Sequence, residues 1–215
     1  PRGRFIHFLR NGGENAQHVF EADASTSDRH TKTNIAGRQS LLRVLRFVRS
    51  LPGCENACVL KAQPETAVRE TYRIVGEVQI THRDYTSGRI FDDAISYSFY
   101  PIDLHDHDGV KPKPLSEGII ATVPLRALIP KESRNLLVAG RSVSSDRLAN
   151  SALRVQASCM AMGQAAGAAA ALSARLETTP GQVSVTALHE LLIQHGAIVP
   201  SLDMKKFRDK AIKKK

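Results

Sequence analysis

NLLVAGRSVSSDRLANSALRVQASCMAMGQAAGAAAALS, residues 135–173, decides how the chain is read. Its first seven residues are an apolar run ending in Gly140 and Arg141, the pattern of a buried strand in a mostly parallel sheet. From Arg154 onward the pattern is helical and the side chains are almost all small. Gly163 and Gly167 stand four apart, so they share a face with Ala166 and Ala170 beside them. Each glycine costs a helix about 1 kcal/mol relative to alanine. That loss is offset where a strand or a ligand must come close to the helix backbone. A strand, a polar turn and a helix start also make an anion or carbonyl site, because first-turn N–H groups lack intrahelical partners. Tight packing on a sheet accounts for the same residues with no ligand at all.

On the N-terminal side, residues 119–125 and 126–130 read as strand-like pieces, which Pro124 and Pro130 confine to edges or connections. Residues 144–147 read as a polar loop. Beyond the helix, residues 177–181 form a turn. Residues 184–194 form an amphipathic helix with Val185, Leu188, Leu191 and Leu192 on its face, ended by Gly196. Nearer the start, residues 34–50 place Ile35, Leu41, Leu42, Leu45 and Val48 near helical spacing before Pro52 and Gly53 stop the helix. Its arginines, Arg38, Arg43, Arg46 and Arg49, read as a solvated face. Residues 4–9, 58–62 and 76–82 read as strands, 84–88 as a turn or short helix and 92–96 as a short helical piece.

Residues 103–108, DLHDHD, alternate carboxylates and imidazoles, so a metal site has to be considered. On a strand His105 and His107 share one face and Asp106 and Asp108 the other. Two histidines are too few ligands, and the run continues into the extended Lys111-Pro112-Lys113-Pro114, so a polar turn is the expectation and no metal is assigned. Cys54, Cys58 and Cys159 form no C-x-x-C pair and read as reduced thiols. The net charge of +9 is concentrated at the end: residues 205–215 carry +6 and the remainder +3. The tail therefore reads as a solvated end with weak polyanion affinity, and nucleic acid is not an expected partner. At 42% hydrophobic residues the chain can bury a real core, and no stretch is apolar enough to span a bilayer. It begins at Pro1 with no initiator Met, from which loss of the native N-terminus is expected, with a cytoplasmic location for the parent.

The long segment, with NIAGRQ (34–39), LPGCENA (51–57), VRETYRIVGE (68–77), YPIDLH (100–105) and VPLRALIP (123–130), resembles the FAD-dependent oxidoreductases of the glutathione-reductase-like superfamily. It is most similar to a bacterial group known simply as FAD dependent oxidoreductases. The blocks keep the family's order from about residue 5 to 200, and Asn15 and His18 occupy matching positions. The resemblance implies an α/β fold with α+β character: a substrate-side sheet with helices, plus the last strand and helix of a doubly wound FAD-binding domain. It divides the chain into a substrate-side region (1–130), the C-terminal part of the FAD domain (131–200) and a basic tail (201–215). It implies FAD as cofactor, held by Arg69, Gly140, Arg141, Ser142, Arg154, Gly163, Gln164, Ala165 and Gly167. Asp103 and His105 would then belong to the substrate wall, His105 handling the proton that accompanies hydride transfer. Many relatives in the superfamily carry an Asp after the Ala-Gly pair to bind the ribityl chain. Arg141 stands there instead, which shifts that contact to Ser142, Ser145 or Asp146.

No G-x-G-x-x-G occurs anywhere in the sequence. The family's N-terminal dinucleotide-binding region is therefore expected to lie outside this sequence, and this chain alone is expected to bind FAD weakly or not at all. The expected partners are FAD and a small organic substrate in the intact protein, and the missing region itself. A homo-oligomer is compatible with the pattern, and no membrane contact is expected. A non-catalytic binding or assembly module that keeps the scaffold without cofactor is the alternative reading.

Overall fold

The computed structural model describes residues 19–106, 109, 110 and 112–200. The expected strand at 4–9, the matching Asn15 and His18, His107, Asp108 and the basic tail lie outside these residues. The chain forms two compact units, Pro1–Thr71 and Tyr72–Lys215.

The first unit is built on one helix, α1 (Ser27–Arg49). Thr26 caps it, its hydroxyl accepting the Arg29 N–H at 3.3 Å. The helix starts well before residue 34, because its first two turns are polar and carry no apolar periodicity. Gly37 lies against the returning chain: a Cβ there would stand 2.2 Å from Thr66 Oγ1. The Thr66 N–H donates to Asn34 Oδ1 at 2.7 Å, closing the same contact. Residues 58–62, expected as a strand, join no ladder and leave Leu60 94% exposed.

The second unit is mixed α/β. Strands β1 (Ala94–Ser98) and β4 (Ala121–Pro124) pair antiparallel, with an irregularity between Ala94 and Ser96. Between them β2 (His105–Asp106) and β3 (Gly109–Val110) form a small antiparallel pair. The helices are α2 (His82–Ser87), α3 (Arg147–Leu153), α4 (Gln156–Arg175) and α5 (Val185–Gln194). Met162, Ala165, Ala169 and Leu172 give α4 a buried face that meets Ile95, Val123, Leu188 and Leu192 in one core. Asp93 fixes the end of the sheet, receiving Arg126 Nε and Nη2 at 3.0 Å each and the Arg126 N–H at 2.9 Å. This forked pair holds the turn of Leu125–Ala127 against β1 and raises the Arg126 pKa further.

The mixed character expected from sequence is present, but several elements differ. Residues 135–141 form no strand; their one ladder-like bond is Val138 N–H to Leu128 O at 2.8 Å. The extended segment that does the stitching is 143–146. Ile80 N–H donates to Ser144 O, Ser144 N–H to Ala127 O and Asp146 N–H to Ile80 O. Residues 76–82 accordingly appear as two isolated bridges, at Gly76 and Ile80, and not as a full strand. Of the expected helical piece 92–96, residues 92 and 93 form a turn and 94–96 open β1, which is buried on both faces and shows no alternation to read. The expected polar loop runs into α3 at its last residue, Arg147; the helix is started by Asp146, whose carboxylate accepts the Ala149 N–H at 2.8 Å.

Gly76 sets a tight limit, since a Cβ there would lie 2.7 Å from Ser144 Cβ and 3.1 Å from Ala127 O. Gly76→Ala should cost about 1–3 kcal/mol by overpacking, read as a lowered denaturant midpoint with unchanged slope. Asp84 completes a capping box with Thr81 and pairs with Arg89 at 2.8 Å. Burial pushes its carboxyl upward, but hydrogen bonds from Arg89 and Thr81 outweigh this and hold it below its ordinary value. A depressed folded pKa gives stability that is complete at neutral pH and lost as pH falls through the folded value. Below about pH 4 the wild-type melting temperature should therefore fall more steeply than that of Asp84→Asn. Parallel slopes would assign the loss to other carboxylates.

Candidate functional site

The site grows from the turn Gly140–Ser142, a single 3-10 turn entered at Gly140 with φ +86°. Only glycine adopts that backbone without strain. A Cβ there would find open space, its nearest neighbour being Cys159 Sγ at 3.9 Å, so the requirement is conformational and not steric. Asn150, fully buried on α3, holds the turn: its Nδ2 donates to Arg141 O and to Ser145 Oγ, both at 3.1 Å. Its Oδ1 has no hydrogen-bond partner among the described residues. Ile74 N–H donates to Ser142 O at 2.9 Å, fixing the other end of the turn.

Against this turn lies the start of α4. Its N-cap is Val155, and no side chain caps the helix. A 20-residue helix therefore presents its positive end and first-turn N–H groups beside Arg154. Arg154 Nη2 donates to Asp103 O at 2.9 Å, and the Asp103 N–H donates to Ser151 Oγ at 3.1 Å. The structure thus brings Asp103, Arg154, Gly140, Arg141 and Ser142 to neighbouring elements of one unit. His105 follows on β2, and its side chain lies outside what is described. Arg69 is exposed and belongs to the first unit.

The four α4 residues chosen from sequence separate. Ala165 is fully buried in the core, whereas Gly163, Gln164 and Gly167 face outward. A Cβ on either glycine would meet nothing within 4 Å. They floor a groove of about 590 Å³ with Ala171, Leu191 and His195, bridged by Gln164 Nε2 to His195 O at 3.3 Å. By helix rise Gly163 is about 10 Å from the start of α4, so these residues line a different stretch from Arg154 and the turn.

A buried hydroxyl chain was not foreseen from sequence. Tyr85 OH bonds Tyr100 O at 2.8 Å and Ser98 Oγ at 2.9 Å, and Ser98 Oγ meets Ser158 Oγ at 3.0 Å. Tyr85 has one proton, which goes to the carbonyl, so the chain runs donor to acceptor from Ser158 through Ser98 to Tyr85. It locks the first turn of α4 onto β1. Burial pushes the Tyr85 hydroxyl pKa up. Among the described residues no group of three His, Cys, Asp or Glu could hold a metal, and no helix is long and apolar enough to cross a membrane.

A family model of FAD dependent oxidoreductases matches residues 4–192. The chain belongs to that family. No curated protein and no solved structure matches it. FAD is accordingly the cofactor, and oxidoreduction with FAD is the family's activity. The residues present fit part of that group. The positive φ turn, the uncapped helix start and Arg154 suit its electron-rich ring end, while no Gly-rich loop in this sequence suits its pyrophosphate.

Cys159 reports on this turn. Burial raises its thiol pKa, and the Arg141 charge opposes part of that rise. Less thiolate means slower alkylation. In a Cys54→Ser/Cys58→Ser background, Cys159 should react with iodoacetamide more slowly than an unperturbed thiol, and Arg141→Gln should slow it further. An unchanged rate in Arg141→Gln would remove Arg141 from the neighbourhood of the thiol.

Proposed function

We propose that this chain is the C-terminal part of a flavoenzyme that takes a hydride from a small organic substrate. The observation that carries the reading is the Gly140–Ser142 turn seated on the uncapped start of α4 beside Arg154. Bound FAD would supply the two-electron acceptor. Arg154 and the first-turn N–H groups favour negative charge developing at the ring end nearest them. The bond from Arg154 to Asp103 O supports this reading, since it fixes the guanidinium against the Asp103 backbone. His105, two residues on, would hold the proton that leaves the substrate as its C–H electron pair departs. Ser142, Ser145 and Asp146 remain the candidates for the ribityl hydroxyls; Asp146 already caps α3 and Ser145 already bonds Val143 O, which favours Ser142.

The pyrophosphate half needs a second region carrying a G-x-G-x-x-G strand–helix unit. The outward glycines of α4 support this: they weaken the helix, and nothing described here repays the loss. That region would come from the rest of a longer chain or from a separate one, in a cytoplasmic protein. The alternative is an assembly module that keeps the scaffold without cofactor, and flavin binding separates the two readings.

The test is a flavin titration followed by absorbance and fluorescence, alone and with the dinucleotide-binding region of a family member added in trans. The chain alone should show no stoichiometric binding, and the mixture should bind flavin and slow Cys159 alkylation. Gly163→Ala and Gly167→Ala should each stabilise the chain alone by up to about 1 kcal/mol and weaken the mixture. A mixture that binds no flavin would overturn the enzyme reading and leave the assembly module.

A further inference from the structure

The outward face of α1 carries charge and apolar surface that the described residues of its own unit leave largely exposed. Buried Thr33, Gly37 and Val48 mark the inward side. On the opposite side Ile35 and Leu42, seven residues apart, fall on one line and are each just over half exposed. At 3.6 residues per turn, Arg38 and Arg49 flank this line on one side and Arg43 and Arg46 on the other. The sequence from Thr33 to Arg49 contains no acidic residue.

The two halves of α1 treat charge differently. Near its start each cation has a carboxylate at hand: Lys32 pairs with Asp28 at 2.7 Å and Arg29 with Asp23 at 2.9 Å. Among the described residues none of the four later arginines has such a pair. Arg49 Nε instead donates to Ala57 O at 2.8 Å and Arg38 Nη2 to Pro64 O at 3.3 Å. Those bonds hold one flank in place while leaving other guanidinium N–H groups outward. The helix C-terminus accounts for a cation at Arg46 and Arg49, but not at Arg38 or Arg43.

We propose that this face docks an acidic amphipathic helix of a partner protein. An apolar line between two rows of charge is the pattern by which one helix recognises another. Arginine suits carboxylates on the partner, because its planar fork donates two parallel hydrogen bonds. A lipid surface fits less well, since it calls for a broad apolar arc and here the arc is one side chain wide.

The probe is a fluorescent synthetic helix of about three heptads, with Leu along one line and Glu on both flanks, titrated by anisotropy against the full chain. It should bind, more weakly as salt rises. Arg43→Gln/Arg46→Gln should weaken it by about tenfold or more, and Leu42→Gln should weaken it at high salt as well. Both variants alter exposed side chains, and circular dichroism confirms that they fold. Failure of the peptide to bind would overturn the proposal. So would an affinity unchanged in the arginine variant, which would assign the binding to the basic tail. Tighter binding to phosphatidylserine vesicles than to the peptide, through the same arginines, would replace the partner helix with a membrane.

Discussion

Gly76 has no room for a side chain, and much of the second unit follows from that close approach. Residues 143–146 thread between 76–80 and 127–129, and the Ser144 hydroxyl accepts the Gly76 N–H at 3.0 Å while its backbone bonds both neighbours. The strap ends at Asp146, which accepts N–H groups from both Ala149 and His82. One carboxylate thus starts α3 and anchors the segment entering α2. The strap begins at Val143, directly after the Gly140 turn. Whatever holds the strap therefore also sets where the turn meets the start of α4.

The long helices were legible because their evidence is local. α4 and α5 show apolar or small residues at helical spacing, and α1 shows them from Ile35 onward. What sequence did not reveal was which side of α4 faces inward. Gly163 and Gly167 share a face by spacing, but Ala165 and Ala169 form the buried one, and an alanine differs too little from a glycine for pattern alone to choose. The strap was missed for a different reason. Its residues are Val, Ser, Ser and Asp, so their backbone groups, and not an apolar run, carry the pairing. The apolar run of 135–141 reads better as a strand and pairs at a single point.

The site was legible in part. Gly140, Arg141, Ser142, Arg154 and Asp103 lie on neighbouring elements of one unit, and their role toward a cofactor belongs to the proposed reading. Asn150 and the Tyr85–Ser98–Ser158 chain were not read, since Asn150 works through a backbone carbonyl and a serine hydroxyl, and the chain joins side chains 13 and 60 residues apart. Their role is to hold the turn and the helix start at a fixed separation. A site that presents backbone N–H groups depends on that separation more than on any one side chain.

The strap also sets the order of events during synthesis. Residues 76–80 are made early, but their partners lie at 127–130 and 144–146. Closing loops of this length costs entropy before any contact repays it. As the chain emerges, Gly76 and Ile80 must wait for Ser144 and Asp146, and the helix that caps on Asp146 waits with them. The second unit cannot mature from its leading edge; it closes late, when the segment just ahead of α3 arrives.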